Sequence, residues 1–120
     1  MGFDLYALDP ILGGEEHDYF RANVWYWRPL WAFVEYICKD TLDDFEKQAG
    51  YHNDGDTIPK EKAKMIGDKL KISLNDGTFN KFKEECDNTK DNHDTGYQCD
   101  YGLTTEFSTF CLNSRGFTIH

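Results

Sequence analysis

Residues 19–38 read YFRANVWYWRPLWAFVEYIC, and the fold turns on how this stretch is parsed. It holds all three tryptophans, three of the seven tyrosines and two of the three arginines. Phe20, Val24, Trp27, Trp31, Val34 and Cys38 recur at steps of four, three, four, three and four. That is the spacing of one helical face. Pro29 interrupts it. An interior proline gives up a ladder hydrogen bond and clashes with the preceding turn, a cost of about 3 kcal/mol. It also pushes Arg28 away from helical geometry. The expectation is therefore a break: an irregular or single-turn segment to about Arg28, then a helix from Pro29 to about Lys39 with the proline in its first turn. Such a break leaves Arg21, Asn23, Trp25 and Arg28 on exposed backbone.

Working outward, Phe3, Leu5 and Ala7 alternate with Asp4, Tyr6 and Leu8, a short strand that Asp9-Pro10 ends. Thr41 is a candidate cap for a short helix from Leu42 to about Ala49, stopped by Gly50. Its first turn carries Asp43 and Asp44 and its last Lys47, as the helix dipole prefers. Tyr51 to Asp56 reads as a turn. Thr57 to Leu74 is the clearest helix, entered at Pro59, with Ala63, Ile66, Leu70 and Leu74 as its apolar face and Asn75-Asp76-Gly77 as its stop. Thr78 caps another helix with Phe79, Phe82 and Cys86. Asp87 to Gly102 reads as a long polar loop. Thr104 or Thr105 caps a last helix with Phe107, Phe110 and Cys111, and Phe117 to Ile119 is a closing strand. The expected fold is α+β: a single domain over residues 1–120, with four to five short helices and a small sheet pairing the two terminal strands.

Composition narrows the function. A chain of 120 residues buries roughly two-thirds of its unfolded surface, enough for a core without staples. Net charge is −9, which argues against a duplex-DNA binder, since that needs a basic face. It suits a partner with a basic groove. Residues 1–58 carry 12 acids and 4 bases, residues 59–83 carry 3 acids and 7 lysines, and residues 84–120 carry 7 acids and 2 bases. The middle is thus a basic island. The N-terminus lacks the basic and apolar regions of a signal peptide, and no run approaches a membrane span. Tyr6 stands where a myristoylation motif needs Ser or Thr. A cytoplasmic protein with reduced cysteines, and no membrane partner, is expected.

GFDLYALDP (2–10), YFRANVWYWRPLW (19–31), YHNDGDTIPKEKA (51–63) and NSRGFTI (113–119) together resemble a family of small phage- and prophage-associated proteins with a YFRxNVWxWRPLW-like motif and no established reaction. The resemblance spans nearly the whole chain in order. It implies a phage accessory protein acting in the host cytoplasm, of the kind that inhibits host defence or takes over host functions. Longer relatives carry paired CxxC motifs where this chain has residues 87–102. Only Cys86 and Cys99 stand near there, so a zinc-ribbon reading does not transfer.

Four constellations bear chemistry. The first is the aromatic–arginine cluster. Ten lysines supply the ordinary positive charge, whereas Arg21 and Arg28 lie among the tryptophans and Arg115 lies in the closing loop. Guanidinium groups grip phosphate bidentately and rings stack a base, so a nucleotide-like pocket is one reading. Arg21, Arg28 and Arg115 would hold phosphates, Trp25, Trp27 and Trp31 would stack, and Asn23, Tyr26 and His52 would add hydrogen bonds. The competing reading makes the tryptophans core and pairs the arginines with Glu15, Glu16 or Asp18. The second, His52-Asn53-Asp54-Gly55-Asp56, is read as a turn, because the spacing fits no calcium loop. The third, Cys86, His93 and Cys99, lacks the tight pairs of a structural zinc site, and a disulfide between the two cysteines is the equal alternative. The fourth, Lys60, Lys62, Lys64, Lys69 and Lys71, is read as a solvated helix face. No nucleophile elbow, P-loop or HExxH motif occurs. His17-Asp18 and His93-Asp94 are sequence neighbours, a poor basis for a dyad.

No catalytic residue, metal or cofactor is therefore assigned, and binding is expected rather than catalysis. The leading expectation is capture of a small anionic, nucleotide-like ligand, with a homodimer as one way to build the pocket. The alternative is an acidic protein–protein interaction module that blocks a host or phage protein. Its signature would be an exposed patch of rings rimmed by carboxylates, with the arginines tied up in internal salt bridges. A small hydrolase using His52 with Asp54 or Asp56 ranks third.

Overall fold

The computed structural model describes residues 2–13, 18–52, 54–88 and 99–120. Along the chain run β1 (Gly2–Ala7), β2 (Tyr19–Asn23), α1 (Val24–Ile37), α2 (Asp44–Ala49), β3 (Asp56–Ile58), α3 (Lys60–Asp76), α4 (Thr78–Asn88), α5 (Tyr101–Ser114) and β4 (Phe117–Ile119). The strands form one antiparallel sheet in the order β2-β1-β4-β3. The α+β class and the pairing of the two terminal strands are as the sequence predicts. No described helix is long and apolar enough to cross a membrane.

The decisive stretch divides differently from expectation. Tyr19–Asn23 is a strand, and the helix begins at Val24, five residues earlier than Pro29 alone would suggest, and runs on through that proline. Two local causes account for this. The Asn23 side-chain carbonyl accepts from the Trp25 and Tyr26 amides at 3.1 and 3.3 Å, a proper N-cap. And Trp27, Leu30, Trp31, Phe33 and Val34 bury one face of the helix completely or nearly so. Burial at roughly 1.5–3 kcal/mol per large side chain outweighs the roughly 3 kcal/mol that an interior proline costs.

Smaller corrections follow the same logic. The cap of α2 is Asp43 rather than Thr41, in a reciprocal capping box with Glu46. Thr57 belongs to β3, because Asp56–Ile58 pairs with β4, and α3 begins only after Pro59. Asp100 caps α5 through the Leu103 amide at 2.7 Å.

Inward-facing residues of the sheet are Phe3, Leu5, Phe20, Ala22, Ile58, Phe117 and Ile119, all buried. Helices α1 and α5 cover that face. An aromatic column runs through the interface: Phe3 stacks on Trp27 at 5.5 Å, Trp27 stacks on Trp31 at 5.4 Å, and Phe107 meets Trp27 edge-on at 5.4 Å. Both buried indoles place their N–H groups on the end of α2. Trp27 Nε1 donates to the Gly50 carbonyl at 2.7 Å, and Trp31 Nε1 donates to the Lys47 carbonyl at 2.8 Å. Two carbonyls at a helix C-terminus, which lack partners in the helix itself, are thereby satisfied.

Helix α3 packs on α5 at a point of close approach, where Gly67 lies against Leu112 and Cys111 and the Ser108 hydroxyl donates to the Gly67 carbonyl at 3.0 Å. Of the lysines on α3, Lys62 is structural. Its ammonium reaches the Thr41 carbonyl and lies 3.5 Å from the buried Glu46 carboxylate. Lys64 pairs with Asp68 one turn on at 2.8 Å.

Candidate functional site

Among the described residues, no helix lies over the other face of the sheet. Antiparallel pairing sets its side chains in two rows. Across one row lie Tyr19, Tyr6, Thr118 and Thr57; across the next lie Arg21, Asp4 and His120. Tyr6 is 48% exposed and Tyr19 37%. Their rings touch with centroids 5.2 Å apart, and Tyr6 meets the His120 ring edge-on at 5.4 Å.

Polar contacts hold the rows in place. The Tyr19 hydroxyl donates to Asp4, Arg21 Nε lies 3.3 Å from the same carboxylate, and a His120 ring nitrogen lies 3.0 Å from the Thr118 hydroxyl. The hydrogen bond to Asp4 raises the Tyr19 phenol above its ordinary pKa, with the Asp4 charge adding to the effect. The result is a surface of partly exposed rings whose orientations are already set.

The nine residues singled out in the sequence are dispersed; Tyr26 is half-buried in the first turn of α1, its amide on the Asn23 cap. Trp27 and Trp31 are fully buried with their N–H groups engaged, so neither presents a face to a ligand. Asn23 is occupied as the cap of α1. Arg21 pairs with Asp4, and Arg115, at the left-handed end of α5 (φ 54°), pairs with Asp9 at 3.1 Å. Asp4 lies in β1 and Asp9 two residues beyond its end, so the two arginines are held in separate ion pairs. Trp25 is 48% exposed at the first turn of α1. Arg28 is exposed and acts electrostatically on Tyr51. His52 is exposed after α2.

Arg28 belongs to a second, smaller group. The Tyr51 hydroxyl is hydrogen-bonded to Glu35; burial pushes its pKa up, the Glu35 bond and charge push it further, and Arg28 opposes them. One Glu35 carboxylate oxygen is buried with no hydrogen-bond partner among the described residues.

Glu15, Glu16 and His17, Asn53 of the second constellation, and His93 with Asp94 all lie outside the described residues. None of the four cysteines is in a disulfide. Burial raises the Cys38 thiol to about 11 and raises Cys111 as well. Among the described residues no cluster of three His, Cys, Asp or Glu side chains is placed to hold a metal.

Asp4, Tyr6, Thr118 and His120 are the surface residues that sequence reasoning missed. The alternation in residues 3–8 puts Asp4 and Tyr6 on one side of β1. What hid the surface was β2, which reads in sequence as an irregular or single-turn segment, with Phe20 in the helical stripe. Comparison with protein-family models, with curated proteins and with solved structures found no match.

Proposed function

We propose that this chain is a non-catalytic binding protein, an acidic module that engages another protein through the uncovered face of its sheet. One observation carries the reading: Tyr6 and Tyr19 stand partly exposed and mutually packed, with the neighbouring Asp4, Arg21, Thr118 and His120 already tied together. Tyrosine supplies large contact area with few rotatable bonds and a polar tip, which is why it recurs at interface hot spots. Rings fixed before binding lose little conformational entropy on binding. The phage-type resemblance extends the proposal to an accessory, anti-defence role, with a host protein as the target.

A nucleotide pocket has less support. Two of its three stacking rings are interior, and two of its three arginines are engaged by Asp4 and Asp9, whose carboxylates repel phosphate. The test is retention of a partner from cells of the natural host on the immobilised chain, compared with the double variant Tyr6→Ala/Tyr19→Ala. The reading requires a protein held by the native chain and lost from the variant. Saturable quenching of tryptophan fluorescence by a nucleotide, abolished in Arg28→Ala, would instead establish the pocket.

A further inference from the structure

β2 is an outer strand of this sheet. Among the described residues β2 has β1 as its one neighbour. The direction of its main-chain groups follows from the pairing on the far side of β1. The Asp4 amide donates to the His120 carbonyl and the His120 amide donates to the Asp4 carbonyl, both at 2.7 Å. Asp4 therefore points its main chain toward β4. In an antiparallel ladder the direction alternates, so Phe3 and Leu5 point toward β2, where they face Ala22 and Phe20. Phe20 and Ala22 are thus bonded to β1, and the N–H and C=O groups of Tyr19 and Arg21 project outward from the sheet.

Beside that edge lies a cleft of about 380 Å³ between β2 and α5. Tyr19, Phe20, Glu106, Thr109, Phe110 and Asn113 are among its walls. Phe20 and Phe110 make its floor apolar; both are buried, with ring centroids 5.8 Å apart. Its described lining holds one carboxylate, Glu106, and no cation. Just before the same strand, one Asp18 carboxylate oxygen is buried without a hydrogen-bond partner among the described residues. An edge of unpaired main-chain groups is a template for another strand. A strand laid along it turns alternate side chains inward, over α5 and into the cleft, and the others outward beside Tyr19 and Arg21.

We propose that β2 receives an extended segment of the partner protein by strand addition, with an inward-facing lysine or arginine of that segment in the cleft. This deepens the protein-binding reading and rests on it. The aliphatic stem of such a side chain packs on Phe20 and Phe110 while its charge reaches Glu106. Main-chain bonds supply affinity, and the cleft supplies selectivity. A second copy of this chain fits less well. Each copy carries a net charge of −9, and pairing of two β2 strands would turn Phe20 and Ala22 inward, leaving Glu106 without a cation.

The experiment pans a display library of short random peptides against the whole chain, then measures binding of the enriched peptides. Strand addition predicts lysine or arginine at alternate positions. It also predicts a loss of about tenfold or more in affinity for Glu106→Lys, and a comparable loss when Thr109→Trp fills the cleft. N-methylating the peptide amides that face β2 should abolish binding, whereas methylating the alternate amides should leave it nearly intact. The Arg21 amide should exchange more slowly with deuterium in the complex. Absence of enriched peptides overturns the proposal. So does binding indifferent to both variants and to the methylation pattern, or a dimer through β2 in sedimentation. If such peptides fail while the host partner is still lost from Tyr6→Ala/Tyr19→Ala, strand addition is wrong and the sheet-face reading stands. If that partner survives the double variant, the sheet-face reading fails independently.

Discussion

Gly50→Ala is the sharpest probe of how α2 is held. Gly50 has φ −72° and ψ −12°, an ordinary right-handed conformation that alanine adopts freely. Backbone freedom therefore does not explain the glycine; space does. A Cβ at this position would lie 1.9 Å from Trp31 Cε2, 2.1 Å from Nε1 and 2.2 Å from Cδ2. The neighbour is a rigid, fully buried ring, so it must move as a body. Moving it strains the stack on Trp27, the Trp31–Lys47 hydrogen bond and the Trp27–Gly50 hydrogen bond. Overpacking costs about 1–3 kcal/mol, and each hydrogen bond lost adds about 1 kcal/mol. Reduced entropy of the unfolded chain returns only about 0.4–1 kcal/mol. The net loss is about 2–4 kcal/mol, a large part of the roughly 5–15 kcal/mol that holds a domain together. Urea unfolding followed by circular dichroism measures it, with tryptophan emission as a second probe expected to shift red. Gly77→Ala is the control. Its Cβ meets nothing within 4 Å, but φ is +89°, so its cost is conformational and emission should not change. A Gly50→Ala protein within about 1 kcal/mol of native, with unchanged emission, would refute the account of Trp31 as the anchor of α2.

Other expectations are more compact. Iodide should quench only the Trp25 share of the fluorescence, because Trp27 and Trp31 are fully buried, and Trp25→Phe should remove the quenchable component. Asn23→Ala should cost about 1 kcal/mol of stability in thermal or urea unfolding, through loss of the α1 cap, without altering partner retention. At pH 8 a thiol reagent should label Cys86, which is half-buried, well before the buried Cys38 and Cys111, whose thiols burial keeps protonated. Because the Cys38 thiol is raised from 9.0 to about 11, its contribution to stability is complete below pH 9 and is lost as pH rises towards 11. Tyr19, also raised, adds to that alkaline loss, and Cys38→Ala should reduce its slope in pH-dependent unfolding.

What the chain alone determined was the class and most of the elements. Hydrophobic spacing marked α3 and the faces of α4 and α5; Gly50 and Gly77 marked helix ends; and the terminal strands were legible from alternation and a short apolar run. These are local signals, set by neighbours within a few residues. The strand Tyr19–Asn23 was not legible, because Phe20 and Ala22 fit a period of two and Phe20, Val24 and Trp27 fit a helix equally well. Pairing with β1, a partner distant in sequence, decides between them. Tertiary packing likewise carried a helix through Pro29, since burial of Trp27, Trp31 and Val34 outweighs a local penalty. It also decided which rings face solvent. Composition marks the tryptophans and arginines as exceptional, but only the packed sheet turns Trp27 and Trp31 into core, ties Arg21 to Asp4, and brings Tyr6, Tyr19 and His120 from both ends of the chain onto one open face.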